Sequence, residues 1–166
     1  MVDPVEHILA QWRVQRPDLD TSAMGPVGRL SRVADAIAAR QRTTFARHGL
    51  DAGAFDVLAT LRRSPGPHCL TPLELSTAAM ITTAATSQRL NRLERRGVIR
   101  RSRRDDDGRG VHVELTAAGL DLIDRALPDH IETDRRVLAG LTAAQQRTLA
   151  ALLSRLLSAL ENPATP

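Results

Sequence analysis

The sequence predicts a mainly α-helical protein: a winged helix-turn-helix domain with a β-hairpin wing, plus N- and C-terminal helices forming a dimerisation region. Three observations predict it. Apolar residues recur at helical spacing along most of the 166 residues, with no βαβ alternation and no internal repeat. Two short helical segments, around 72–79 and 82–96, are followed at once by a pair of alternating apolar-polar segments, which is the winged helix-turn-helix order. The first and last helices carry more apolar surface than a small winged domain can cover, and such surface marks an interface, most simply a twofold dimer. The expected division is 1–50 for an N-terminal arm and dimerisation helix, 51–116 for the winged domain and 117–166 for the C-terminal dimerisation helices.

Val5, Ile8, Leu9 and Trp12 are spaced i, i+3, i+4, i+7, giving a helix over 3–15 that ends at Arg16-Pro17, since the residue before proline is pushed out of helical geometry. A second helix is expected from Pro26 to Arg47 and closes at Gly49. Asp51 caps a third over 52–63, and Ser64-Pro-Gly-Pro67 breaks the chain. Thr71-Pro72-Leu73-Glu74 combines a cap, proline at the first helical position and a capping-box glutamate. Met80 and Ile81 make the turn, the next helix runs to Arg96, and Gly97 stops it. Val98–Arg101 and Val111–Leu115 form the hairpin. Thr116 caps a long helix expected to bend at Pro128. The last helix starts with the box Thr142-Ala-Ala-Gln145 and carries a stripe from Leu149 to Leu160.

All 23 basic residues are arginine. Nine of them lie between 89 and 109 among four acids, a local charge of +5, while the rest of the chain sums to −1. One basic segment on a neutral body suits a polyanion. Genome composition would explain arginine over lysine but not the clustering. Trp12, Phe45 and Phe55 are the only aromatics, none in the basic segment, which disfavours readers of single strands or RNA that stack bases on aromatic platforms. On a helical wheel Leu90, Leu93, Thr83 and Thr86 share an inward face, and Ala84, Gln88, Arg92 and Arg95 lie on the far side. Gln pairs bidentately with adenine, and Arg reaches guanine or phosphate. A merely solvated basic face is the alternative. Arg89 falls on the seam between the two faces.

The segment from Thr82 to Arg101 resembles the recognition helix and first wing strand of MarR-type transcriptional regulators. Asp107-Gly-Arg109 through Gly119 resembles that family's D-x-R wing motif and next helix, and Leu70–Leu75 its first helix-turn-helix element. The resemblance covers nearly the whole chain. It implies that Arg109 enters a minor groove, where a lone arginine suits a narrow, electronegative channel, with Asp107 holding the loop or orienting it. The implied duplex-DNA set is Ala84, Ser87, Gln88, Arg92 and Arg95 on the helix with Arg103, Arg104, Asp107 and Arg109 in the wing; Arg100, Arg103 and Arg104 are phosphate contacts rather than base readers. Asp105 and Asp106 read better as an acidic turn.

The chain also resembles the urate-responsive branch, which has an extra N-terminal helix bearing a tryptophan, and one aspartate and two arginines implicated in anion sensing. Trp12, Asp56, Arg89 and Arg101 stand at the matching positions. The branch implies a small planar anionic ligand such as urate or a related purine. From the residues alone, a single Trp on an apolar helix face such as Trp12 is more often a core side chain, and Asp56 reads equally as an exposed or dimer-facing acid.

Catalysis finds little support. Five dispersed histidines, no HExxH, no glycine-rich phosphate loop and no nucleophile elbow argue against an enzyme. His68-Cys69 makes a poor metal or oxidant site, so no metal and no cofactor are expected. The single cysteine excludes an intrachain disulfide. No apolar run could span a bilayer, and the acidic Met1–Glu6 stretch is unlike a secretory signal; a cytoplasmic protein without a membrane partner is expected. The two surviving readings are a homodimeric, ligand-responsive regulator on a pseudo-palindromic operator, and a helical module whose winged domain binds protein.

Overall fold

The computed structural model describes residues 3–66, 68–78, 83–103 and 111–162. Ten elements follow in order: α1 (Pro4–Gln15), α2 (Met24–Arg47), α3 (Ala52–Arg63), β1 (Cys69–Leu70), α4 (Pro72–Ala78), α5 (Thr83–Arg95), β2 (Ile99–Arg103), β3 (Val111–Leu115), α6 (Ala117–Val137) and α7 (Ala143–Glu161). The expected mainly α fold with its hairpin is present.

Most helix starts follow from local capping. Asp3 accepts from the Val5 amide at 2.9 Å, Asp51 from Ala54 at 2.7 Å and Thr116 from Gly119 at 3.1 Å. Both capping boxes close: the Glu74 amide donates to Thr71 Oγ1 at 3.2 Å and the Thr142 amide to Gln145 Oε1 at 2.8 Å. α2 instead starts two residues before the expected Pro26, with Ala23 as an N-cap that offers no side chain. Proline is tolerated throughout the first turn because those amides lack helical partners anyway, so it does not mark the first residue. α6 continues through Pro128 to Val137. The Met80-Ile81 turn lies outside the described residues.

The sheet has the order β1-β3-β2, all antiparallel, with Leu70 opposite Val113 and Arg101 also opposite Val113 from the other side. The first strand was not expected. Two residues are too short for alternation to signal a strand, and only pairing with β3 defines it.

Leu58, Leu61, Leu75, Leu90, Leu93, Ile99, Val113 and Ile123 are almost completely buried and form one core with Phe45 and Phe55, whose rings stack 4.3 Å apart. The core runs without interruption from the end of α2, through the winged segment, into α6. A different surface is left uncovered. No α7 residue is buried, and Leu149, Leu152, Leu153, Leu156, Leu157 and Leu160 are 37–70% exposed. Ile8 and Trp12 of α1 and Val27, Leu30 and Val33 of α2 are exposed too.

Candidate nucleic-acid interface and effector cleft

α5 is positioned by its buried leucines, Leu90 and Leu93, with Gly97 ending the helix at φ +69° and turning the chain into β2. That anchoring sends Ser87, Gln88, Arg92 and Arg95 outward, where all are exposed. Arg95 donates to the Asn91 carbonyl at 3.3 Å, and Arg92 Nη1 reaches Asp51 Oδ2 at 3.0 Å. The second contact was not foreseen: Asp51 caps α3 with one oxygen and holds Arg92 with the other. Both partners are more than half exposed, so water screens the pair heavily. Ala84 lies on α5 and Arg103 ends β2, but their side chains are outside the described set, as are Arg104, Asp107 and Arg109. Arg100, expected at phosphate, pairs with Glu114 across the hairpin at 2.8 Å.

Of the four anion-sensing candidates, two are brought together. Arg89 is half-buried on the α5 seam, and its guanidinium lies against Gly53 of α3. Asp56 stands one turn further along α3, within electrostatic reach of Arg89. Burial pushes the Asp56 carboxyl above its ordinary value, and the positive charges of Arg89, Arg63 and His130 pull it only part of the way back. Arg89 Nη1 is buried without a hydrogen-bond partner, a donor taken from water with no acceptor in its place.

The other two are elsewhere in a single chain. Arg101 is committed to α5: its guanidinium pairs with Glu94 and donates to Asn91 Oδ1 at 2.8 Å, and its amide also donates to Glu94. Trp12 rides on α1, which packs on α2, and lines a shallow hollow with Ile8, Gln11 and Gln15.

Asp56 opens instead onto a cleft of about 460 Å3 between α3 and α6, lined by Phe55, Ala59, Arg62, Arg63, Asp124, Leu127 and His130 as well. The His130 ring meets Phe55 edge-on at 4.7 Å, and its Nδ1 is buried without a partner. Arg62 is held by Asp124 at 2.7 Å and Arg63 by the Ala78 carbonyl at 2.8 Å. An aromatic floor, two arginines and the unpartnered His130 Nδ1 can receive a flat, negatively charged molecule, with Asp56 and Asp124 as the two acids of the lining and Arg89 behind Asp56 rather than in the cleft wall. Only Asp56 of this cleft was singled out in the sequence. His130 lies 74 residues away, and its role comes from α6 packing on α3. Among the described residues no three His, Cys, Asp or Glu side chains converge as metal ligands would, and no helix is long and apolar enough to cross a membrane.

Comparison with known proteins places this geometry in a family. The MarR family pattern matches residues 48–110, from the end of α2 into the hairpin loop. The chain is 39% identical, over 158 residues and 95% of both chains, to the HTH-type transcriptional regulator PecS of Dickeya dadantii. Among solved structures, Sco3205 of Streptomyces coelicolor, a MarR family regulator in complex with DNA, aligns with a TM-score of 0.78 at 25% identity, over 89% of this chain and 93% of that one. BpsR of Bordetella bronchiseptica, whose DNA binding is regulated by 6-hydroxynicotinic acid, aligns at 0.69 and 26% identity, over 79% and 98%. A helix anchored by buried leucines, a three-stranded antiparallel sheet and a nearly full-length alignment to PecS at 39% identity give one conclusion: the chain belongs to the MarR family of winged helix-turn-helix transcriptional regulators.

Proposed function

We infer that the protein is a sequence-specific repressor that binds a pseudo-palindromic duplex operator as a homodimer and is released by a small planar anion of the urate type. The observation that carries the DNA reading is α5 itself: Leu90 and Leu93 bury one face, so Gln88, Arg92 and Arg95 stand together on the other. The relative in complex with DNA supports it. Arg109 serves the minor groove, Asp107, two positions earlier in the sequence, holds or orients it, and Arg103 and Arg104 serve the phosphates. Residues 51–116 read DNA, while 1–50 and 117–166 assemble the dimer; the division is one of labour, since the core is shared. Acting on an operator places the protein in the cytoplasm.

The ligand reading rests on Arg89 Nη1, which lacks an acceptor, and on Asp56, whose ionised form is disfavoured beside a cleft able to take a planar anion. The relative regulated by 6-hydroxynicotinic acid, a flat aromatic acid, supports this ligand class. Trp12 would wall the ring once dimer assembly closes the arm over the cleft, and Arg101 would have to leave Glu94 to join Arg89 on the anion.

Operator binding titrated with urate and related purines tests both parts. Arg92→Ala and Arg109→Ala are expected to weaken binding with the dimer intact, and log affinity to fall against log salt with a slope near about −7 for roughly four phosphates per subunit. Trp12→Phe and Arg101→Ala are expected to bind DNA but respond less to ligand. Salt-independent binding sinks the DNA reading. A wild type indifferent to every planar anion sinks the ligand reading alone.

A further inference from the structure

Position 53 is a glycine inside a regular helix between two alanines, Ala52 and Ala54. Glycine is a poorer helix former than alanine, and its φ is not in the left-handed region, as it is at Gly49, Gly66 and Gly97. Close approach explains it. A Cβ placed there would lie 2.0 Å from Arg89 Cζ, 2.2 Å from Nη2 and 2.3 Å from Nε. The guanidinium of the recognition helix lies flat on the bare Cα of α3, with Asp56 one turn away on the same side.

Resting on the repressor reading above, we propose that Gly53 is the seat of Arg89 and that this seat couples the effector cleft to α5. α5 keeps its DNA-reading pose while the guanidinium lies on Gly53; an anion beside Asp56 draws the guanidinium off and releases the helix. The seated arrangement is easily given up, because Nη1 has no acceptor there and an anion supplies a charge-assisted one. The anion thus interacts differently with the seated and unseated states, which is what lets a ligand shift their balance. Gly53 touches neither DNA nor ligand. It is a positioning residue.

Gly53→Ala tests this without endangering the fold. The new methyl group occupies the space of the guanidinium, the flexible end of a long side chain that can swing away, and α3 gains a better helix former. The melting temperature is expected to stay at or above that of the wild type. Operator affinity is expected to fall at least about fivefold, with the remaining binding insensitive to urate. In an Arg89→Gln background, Gly53→Ala is expected to change nothing further, because both substitutions empty the same contact. The Arg89 Nε–H resonance, assigned by its loss in Arg89→Lys, should stand apart from the other arginines in the wild type and join them in Gly53→Ala.

An unmoved resonance overturns the seat. A moved resonance with wild-type operator affinity and urate response overturns its coupling role. If the wild type binds the operator but ignores urate, the urate reading falls, while the resonance and the operator affinity of Gly53→Ala still decide the seat. If the wild type binds no duplex DNA, the repressor reading and the coupling role fall together, and the resonance alone reports the contact.

Discussion

At the scale of single residues, Asp56 shows most clearly how surroundings override residue type. On a helix surface it would be an ordinary carboxylate. Packed beside α6 its proton is held more tightly than in the unfolded chain, burial outweighing three nearby positive groups. A carboxyl with a raised folded-state pKa contributes stability that is full below its unfolded value of 3.8 and is lost as pH rises through the folded value. At neutral pH the ionised Asp56 therefore costs the fold. Asp56→Asn is expected to melt higher than the wild type at pH 7, with the advantage closing as pH falls toward about 4. Equal melting at pH 7 would show that Arg89 and Arg63 compensate the burial in full. Arg92 is the converse case: its salt bridge to Asp51 is exposed, and water leaves it available to DNA.

At the scale of elements, the junction between the wing and α6 is a close backbone contact. Thr116 ties it, donating from Oγ1 to the Gly97 carbonyl at 2.7 Å while its backbone amide donates to Val98. Gly119 then brings the first turn of α6 so close that a Cβ would lie 1.8 Å from the Val98 carbonyl oxygen. Backbone cannot swing aside as an arginine tip can. Gly119→Ala is accordingly expected to destabilise by about 1–3 kcal/mol as an overpacked site does, although alanine is the better helix former. Urea denaturation measures it, and a stabilised variant would refute the contact. Elements with local punctuation were legible beforehand: Asp51, Thr71, Thr116 and Thr142 each cap where their sequence signatures put them. β1 and the start of α2 were not, because one depends on partners 43 and 45 residues away and the other has no capping side chain.

At the scale of the whole molecule, no residue of the last helix is buried within the chain. Six exposed leucines on α7, and Ile8, Val27, Leu30 and Val33 on α1 and α2, are the apolar side chains that the proposed second copy would cover. Leu153→Glu combined with Leu157→Glu would place unpaired charge in that seam, at a cost of several kcal/mol for dimerisation. Sedimentation of the variant is expected to show monomer or aggregate. An intact dimer would locate the interface elsewhere.

The sequence by itself determined the fold order, the caps, the inward and outward faces of α5 and the family, because these depend on periodicity and on contacts within a few residues. It also named Trp12, Asp56, Arg89 and Arg101. Only the tertiary structure decided which of them meet. Arg89 and Asp56 share a seam because α5 packs on α3, whereas Arg101 turns to Glu94 and Trp12 stays on the arm. His130 enters the cleft from α6, and Gly53 matters because of an arginine 36 residues later in the chain. Such pairings follow from how helices cross, and a one-dimensional pattern does not specify the crossing.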